Sequence, residues 1–168
     1  MITSSFGAGI MLAMALVASG GSAALPQTIV GRVVGVTDGD TLTVLQSGVG
    51  GAPIERQIRL AGIDAPERHQ PFGRQARQTL SGLCYGQTAQ INTESVDRYG
   101  RVVGEVQCGG VSANLAMVQS GMAWAYVRYQ PPAAYIQAEQ KARAARIGLW
   151  SDPHPIPPWE WRRSGRAF

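Results

Sequence analysis

The feature that most limits the folds open to this chain is a succession of alternating, β-branched runs broken by turn chemistry. Thr28 to Val36, Thr41 to Leu45 and Ile54 to Ala61 alternate, and Asp38-Gly39 and the glycine-rich segment Ser47 to Pro53 separate them. Alternation at period two describes strands with one buried face, and short connections make antiparallel neighbours, so a three-stranded meander is predicted. Ala76, Leu80 and Leu83 then fall at i, i+4, i+7 with Arg74, Arg77 and Gln78 between them, the pattern of an amphipathic helix ending near Gly86. Two further strands follow, Thr88 to Thr93 and Arg101 to Gln107.

Ser112 is the N-cap of a short helix whose inner face is Leu115, Val118 and Met122, with Gly121 as terminator. A third helix runs from Pro132 or Ala133 to Ile147, burying Ala138, Ala142 and Ala145, with Gly148 after it. Five strands interrupted by a helix, then terminal helices, predict an α+β fold: a five-stranded barrel of the oligonucleotide-binding type with about three α-helices. A chain of 168 residues suits one compact domain, and 45% apolar residues argue against disorder. From Ser151 onward the Pro/Trp/Arg-rich stretch has no periodicity and reads as an irregular tail or a docked extension. Its basic end, Arg162-Arg163-Ser164-Gly165-Arg166, either adds phosphate affinity or is a solvated terminus.

The first ionisable side chain is Arg32. Before it, Ile10 to Val17 is an apolar run too short to span a bilayer, followed by the small residues Ala18 to Ala24, which describes a secretory signal peptide over residues 1–24. Its n-region carries no Lys or Arg, so an uncleaved anchor and a mis-assigned start or disordered tail stay open as alternatives. Export would put Cys84 and Cys108 in an oxidising compartment, where two thiols usually pair; the other reading is two buried free thiols. Of the 15 basic residues all but Lys141 are Arg, and the net charge of +4 favours a polyanionic partner without establishing one.

Charge concentrates in four short stretches: Asp38-Gly39-Asp40-Thr41, Arg59 to Glu67 (RLAGIDAPE), Asp97 to Arg101 (DRYGR) and Ala125 to Tyr129 (AYVRY). Each alone is weak, since a DGD is usually a hairpin turn. In this order they resemble the staphylococcal nuclease-like (thermonuclease) family, whose signature VxDGDTxxV…RLxGIDxPE…DxYGRxxxxV is met from Val36 to Val106. The resemblance extends through Asn114, Gly121, Tyr129 and Gly148-Leu149-Trp150-Ser151, so a domain over residues 27–151 and a tail over 152–168 are expected.

The resemblance implies roles for these positions. Asp40 and Asp64 correspond to carboxylates that hold Ca²⁺, with the main-chain carbonyl of Ala65 completing the protein ligands; hard oxygen donors suit that ion. Glu67 matches the general base, and Arg59 and Arg101 match two arginines that clasp the phosphate, whose forks follow the charge growing on phosphorus. Arg98, Tyr99 and Tyr129 align with substrate-binding positions, where aromatic faces stack on any base. Asp38 is expected to shape its turn rather than to ligate, and Asp97 to serve its own loop. Val127 stands where the staphylococcal protein has a second tyrosine, which weakens base stacking unless Tyr126 compensates, and the segment Arg68 to Phe72 is shorter than in that protein, so the loop positioning Glu67 should be stiffer. His69 and His154 are expected at the surface. A Cys84–Cys108 bridge would tie helix to barrel.

The resemblance as a whole implies a secreted or periplasmic bacterial Ca²⁺-dependent nuclease that hydrolyses phosphodiester bonds of DNA and RNA, prefers single-stranded substrate and leaves 3′-phosphate products. It is expected to be monomeric, without stable membrane association after leader cleavage. The rival reading is a catalytically silent nucleic-acid-binding module on the same barrel.

Overall fold

The computed structural model describes residues 27–165, so the expected leader and Arg166 lie outside the described residues. Five long strands, β1 (Thr28–Val36), β2 (Thr41–Ser47), β3 (Pro53–Leu60), β5 (Thr88–Val96) and β6 (Val102–Cys108), are joined by short strands β4 (Ile63–Asp64), β7 (Val111–Ser112) and β8 (Trp124–Ala125). Four helices accompany them: α1 (Gly73–Cys84), α2 (Ala113–Gln119), α3 (Ala133–Ala144) and α4 (Pro158–Arg163). The main sheet runs β3-β2-β1-β5-β6-β7, and a parallel pairing of β3 with β6 closes the five long strands into a barrel. The expected fold is therefore present, with a fourth helix where the tail had no periodicity.

Ile29, Val33, Leu42, Val44, Ile58, Leu60, Ile91 and Val106 fill the barrel, and α1 adds Ala76, Leu80 and Cys84. Each fully buried aliphatic side chain contributes about 1.5–3 kcal/mol. A register shift in β1 between Val33 and Gly35 changes the phase of alternation, which is why Val33 and Val36, three apart, both face inward. The outer half of β3 departs from the sequence expectation: Ile54 is exposed, because the β2–β3 hairpin extends past the barrel wall.

Two helices also differ from expectation in detail. In α2 the buried residues are Asn114, Met117 and Val118, with Leu115 and Met122 packed against the core only in part; Ser112 caps the helix by accepting from the Leu115 amide at 3.1 Å. In α3 the inner face is Tyr135, Ala138 and Ala142, whereas Ala145 is exposed, since the chain leaves the helix there and turns left-handed at Arg146. Cys84, at the end of α1, and Cys108, at the end of β6, form a disulfide that ties helix to barrel, and among the described residues no cysteine is free.

A second small core of Trp124, Ala142, Leu149 and Trp150, with Phe72 and Trp159 against it, lies under the C-terminal segment. Arg143 covers it, its guanidinium 3.7 Å from the Trp150 ring centroid. The segment 152–165 is thus a docked extension. No described helix is long and apolar enough to cross a membrane.

Candidate functional site

The β1–β2 turn carries Asp38 and Asp40. Asp38 Oδ1 accepts from the Asp40 amide at 3.1 Å, which makes Asp38 a turn-shaping residue as its position suggested. Gly39 between them has no room for a side chain: a Cβ would lie 2.6 Å from that of Ala76 on α1 and 2.7 Å from that of Ala65. The turn is therefore pressed onto the loop that bears Asp64. Asp40 Oδ2 accepts from the Ala65 amide at 2.8 Å and the Leu60 amide donates to the Asp40 carbonyl at 2.8 Å, so Asp40 is fixed against both ends of the segment from Leu60 to Ala65.

Asp64 lies in β4, paired with Trp124 of β8, and its side chain is 1% exposed. Arg59, opposite Thr41 on β2, reaches both carboxylates through one nitrogen: Nη2 is 3.2 Å from Asp40 Oδ2 and 3.1 Å from Asp64 Oδ1. Its Nη1 donates to the Leu60 carbonyl at 2.9 Å. This arginine stands on the acids themselves as well as facing the cleft.

Glu67 is held at the mouth by two tight turns. Its amide donates to Gln70 Oε1 at 3.0 Å, its carbonyl accepts from the Gln70 amide at 2.9 Å, and the Gln70 carbonyl accepts from the Gly73 amide at 2.9 Å. A Cβ at Gly73 would sit 1.9 Å from the Glu67 carbonyl oxygen, so only glycine lets α1 start there. These contacts fold the short segment between Glu67 and the helix into two successive turns.

On the opposite wall, Asp97 serves its own loop, accepting on Oδ1 from the amides of Tyr99 (2.9 Å) and Arg101 (3.0 Å) and on Oδ2 from Arg101 Nε (2.7 Å). Burial alone would raise its pKa, but these hydrogen bonds outweigh that effect and lower it. They also grip one edge of Arg101. Arg98 and Arg101 lie 5.6 and 5.4 Å from the Tyr99 ring centroid, and Tyr99 is 73% exposed. Tyr129, 69% exposed, meets Tyr126 edge to face at 5.0 Å. Val127 is exposed, and Tyr126 beside it is half-buried and lines the cleft.

All the candidate residues meet in one cleft of about 750 Å³, lined by Asp38, Asp40, Asp64, Ala65, Glu67 and Arg59 on one side and Arg98, Tyr99, Arg101 and Tyr129 on the other. His69 and His154 are both exposed and belong to neither wall.

Burial and then the charge of Asp40 push the Asp38 carboxyl up to about 7. Asp64 is raised as well, first by burial; the hydrogen bonds from Arg162 pull it back, and the charge of Asp40 opposes them. Carboxylates so crowded call for positive charge. No group of three or more His, Cys, Asp or Glu in metal-holding geometry occurs among the described residues. The donor chemistry available is a pair of buried carboxylates, Asp40 and Asp64, with main-chain oxygen nearby; that all-oxygen set fits a hard cation whose remaining positions go to water.

Arg162, in sequence no more than part of a basic end, stands in the cleft: Nη2 lies 2.8 Å from Asp64 Oδ2, and Nη1 lies 3.2 Å from Asp64 Oδ1 and 2.6 Å from Glu67 Oε1. The one signal in the sequence is local. Pro157-Pro158 can open a helix, and Trp159 and Arg162 then share a face at i, i+3.

Comparison with known proteins agrees with this geometry. A family model described as staphylococcal nuclease homologue matches residues 57–152. A Haemophilus influenzae protein named as an uncharacterized endonuclease is 45% identical over 132 residues, 79% of this chain and 72% of the relative. A Shigella flexneri protein named micrococcal nuclease is 45% identical over 150 residues, 81% of this chain and 82% of the relative. An Escherichia coli protein named as an uncharacterized endonuclease is 41% identical over 133 residues, 79% of this chain and 84% of the relative.

Proposed function

The chain belongs to the staphylococcal nuclease homologue family and is a nuclease of that type; on that premise we propose that it hydrolyses phosphodiester bonds of DNA and RNA in a calcium-dependent reaction, prefers single-stranded substrate and leaves 3′-phosphate ends. One observation carries this reading: Asp40, Asp64 and Glu67 share a cleft with Arg59 and Arg101. Acids alone would repel a phosphodiester, and arginines alone would only bind it.

Asp40 and Asp64, with the Ala65 carbonyl, would hold the calcium ion, which when bound supplies positive charge to the phosphodiester. Glu67 accepts the proton of the attacking water. The two turns through Gln70 hold the Glu67 backbone at the cleft mouth, which positions its carboxylate for proton transfer. Arg59 and Arg101 grip the equatorial oxygens as charge accumulates on phosphorus; Asp97 holds the Arg101 Nε edge, which pre-orients the rest of the fork. Tyr99 and Tyr129, with Arg98 beside the first, receive unstacked bases, a mode that favours single strands over paired ones. The Cys84–Cys108 bond supports a secreted or periplasmic setting, since such bonds persist where the compartment is oxidising.

The test is cleavage of denatured DNA by the purified protein with Ca²⁺ or with a chelator, beside Glu67→Gln and Arg101→Ala. The wild type should cleave only with Ca²⁺, and each variant should lose roughly 100- to 1,000-fold in kcat. Salt-sensitive binding without cleavage would identify a silent nucleic-acid-binding module instead.

A further inference from the structure

Arg162 places two parallel N–H groups on Asp64, at 2.8 and 3.2 Å, and turns one of them to Glu67 at 2.6 Å. Both oxygens of Asp64 are thereby engaged by one guanidinium. Such a fork is among the strongest hydrogen-bonded pairs a protein makes, and here it closes over a buried carboxylate that already has Asp40 and Arg59 beside it. A Ca²⁺ ion takes its oxygens at about 2.3–2.6 Å. A cation at that distance from Asp64 and a guanidinium lying along both its oxygens need the same space and the same lone pairs. Glu67, the proposed base, is masked by the same contact.

The helix that delivers this guanidinium is docked by a small set of contacts. Trp159 lies on Tyr126 with centroids 5.1 Å apart and 22° between the planes, and meets Trp124 edge to face at 6.4 Å. Gln70 Nε2 donates to the Ile156 carbonyl at 2.5 Å. Arg162 itself is 42% exposed, so water reaches it and its exit is open.

We propose that Arg162 is a built-in counter-cation that occupies the Asp64–Glu67 pair in the metal-free enzyme, and that calcium competes with it, displacing the α4 cap as the site is loaded. The inference rests on Asp40 and Asp64 being the calcium ligands. It adds that the protein carries its own inhibitor of metal binding, encoded outside the nuclease signature. The carboxylates are then never left facing each other unneutralised, and Glu67 is freed only when calcium is present.

The full-length protein tests this by calorimetric titration with CaCl₂ and by melting in chelator, comparing the wild type with Arg162→Gln, Arg162→Lys and Arg163→Gln. Arg163 sits on the same helix, bonds the Trp159 carbonyl rather than a carboxylate of the cleft, and carries the same charge, so it controls for a general electrostatic effect. Arg162→Gln should bind Ca²⁺ at least about tenfold more tightly than the wild type, Arg162→Lys should lie between them, and Arg163→Gln should match the wild type within about twofold. In chelator Arg162→Gln should melt below the wild type, and saturating Ca²⁺ should close that gap. Equal or weaker Ca²⁺ binding by Arg162→Gln, or an equal gain in Arg163→Gln, overturns the proposal. Absence of Ca²⁺ binding by both wild type and Arg162→Gln overturns the calcium assignment beneath it.

Discussion

Trp159 and Tyr126 are stacked face on face, so the C-terminal helix and the aromatic wall of the cleft form one packed unit. Such a pair contributes about 0.5–1.5 kcal/mol beyond its buried area. Trp159→Ala should therefore loosen α4 by about 1.4 kcal/mol and expose its arginines roughly tenfold more often, read as faster trypsin cleavage after Arg162 and Arg163 in chelator. Trp159→Phe, which keeps a ring on Tyr126, should recover most of the protection.

Asn114 is fully buried, yet every polar atom of its side chain is used: Oδ1 accepts from the Val106 amide at 2.9 Å, and Nδ2 donates to the carbonyls of Ala61 (2.9 Å) and Gly104 (3.3 Å). It joins the end of β3 to β6 at the barrel closure. Asn114→Leu would strand the Val106 amide and the Ala61 carbonyl, whereas the Gly104 carbonyl keeps the Ala61 amide at 2.9 Å, and should cost about 2–3 kcal/mol in urea unfolding. Asn114→Ala should cost a similar amount.

The disulfide closes a loop between positions 24 apart in sequence. Chain-entropy arguments give such a link about 3 kcal/mol. Reduction, or the double change Cys84→Ala with Cys108→Ala, should lower Tm by roughly 10 °C, while leaving cleavage at room temperature within about twofold, because neither sulfur faces the cleft.

Asp38 gives the metal-free protein a pH dependence of defined sign. Its carboxyl is raised from an ordinary 3.8 to about 7, so between those values the folded state holds more protons than the unfolded chain. Its stabilising contribution is complete below about pH 4 and is lost as pH rises through about 7. In chelator, Asp38→Asn, which preserves an acceptor for the Asp40 amide, should reduce the fall in thermal stability across that window, leaving the part due to the raised Asp64 carboxyl, and should exceed the wild type at about pH 8. A melting point that falls as far between about pH 5 and about pH 8 in the Asn variant as in the wild type would contradict this.

Much of the architecture was legible because β-branched alternation, Asp-Gly turns and the Ser112 cap each leave a local signature. The departures have local causes too. Ile54 alternates correctly but lies on a hairpin that overshoots the barrel, and Ala145 keeps helical spacing after the helix has ended. The acids and arginines of the cleft were visible as clustered charges, since β3, β4 and their turns bring residues 59 to 67 together within one segment. Arg162 stands 98 residues from Asp64 in the chain, and nothing in a stretch rich in Pro, Trp and Arg says which carboxylate its guanidinium will meet.

The parallel closure of β3 on β6 has a kinetic meaning. It pairs Ile58, Arg59 and Leu60 with Val102, Val103 and Gly104, contacts far apart along the chain, and such pairings form late because their loop entropy is lost before they are rewarded. Arg59 lies in that seam and Arg101 immediately before it. The two arginines are therefore brought together only when β3 docks on β6, so nucleolytic activity regained during refolding should report barrel closure itself, lagging behind the recovery of helical signal.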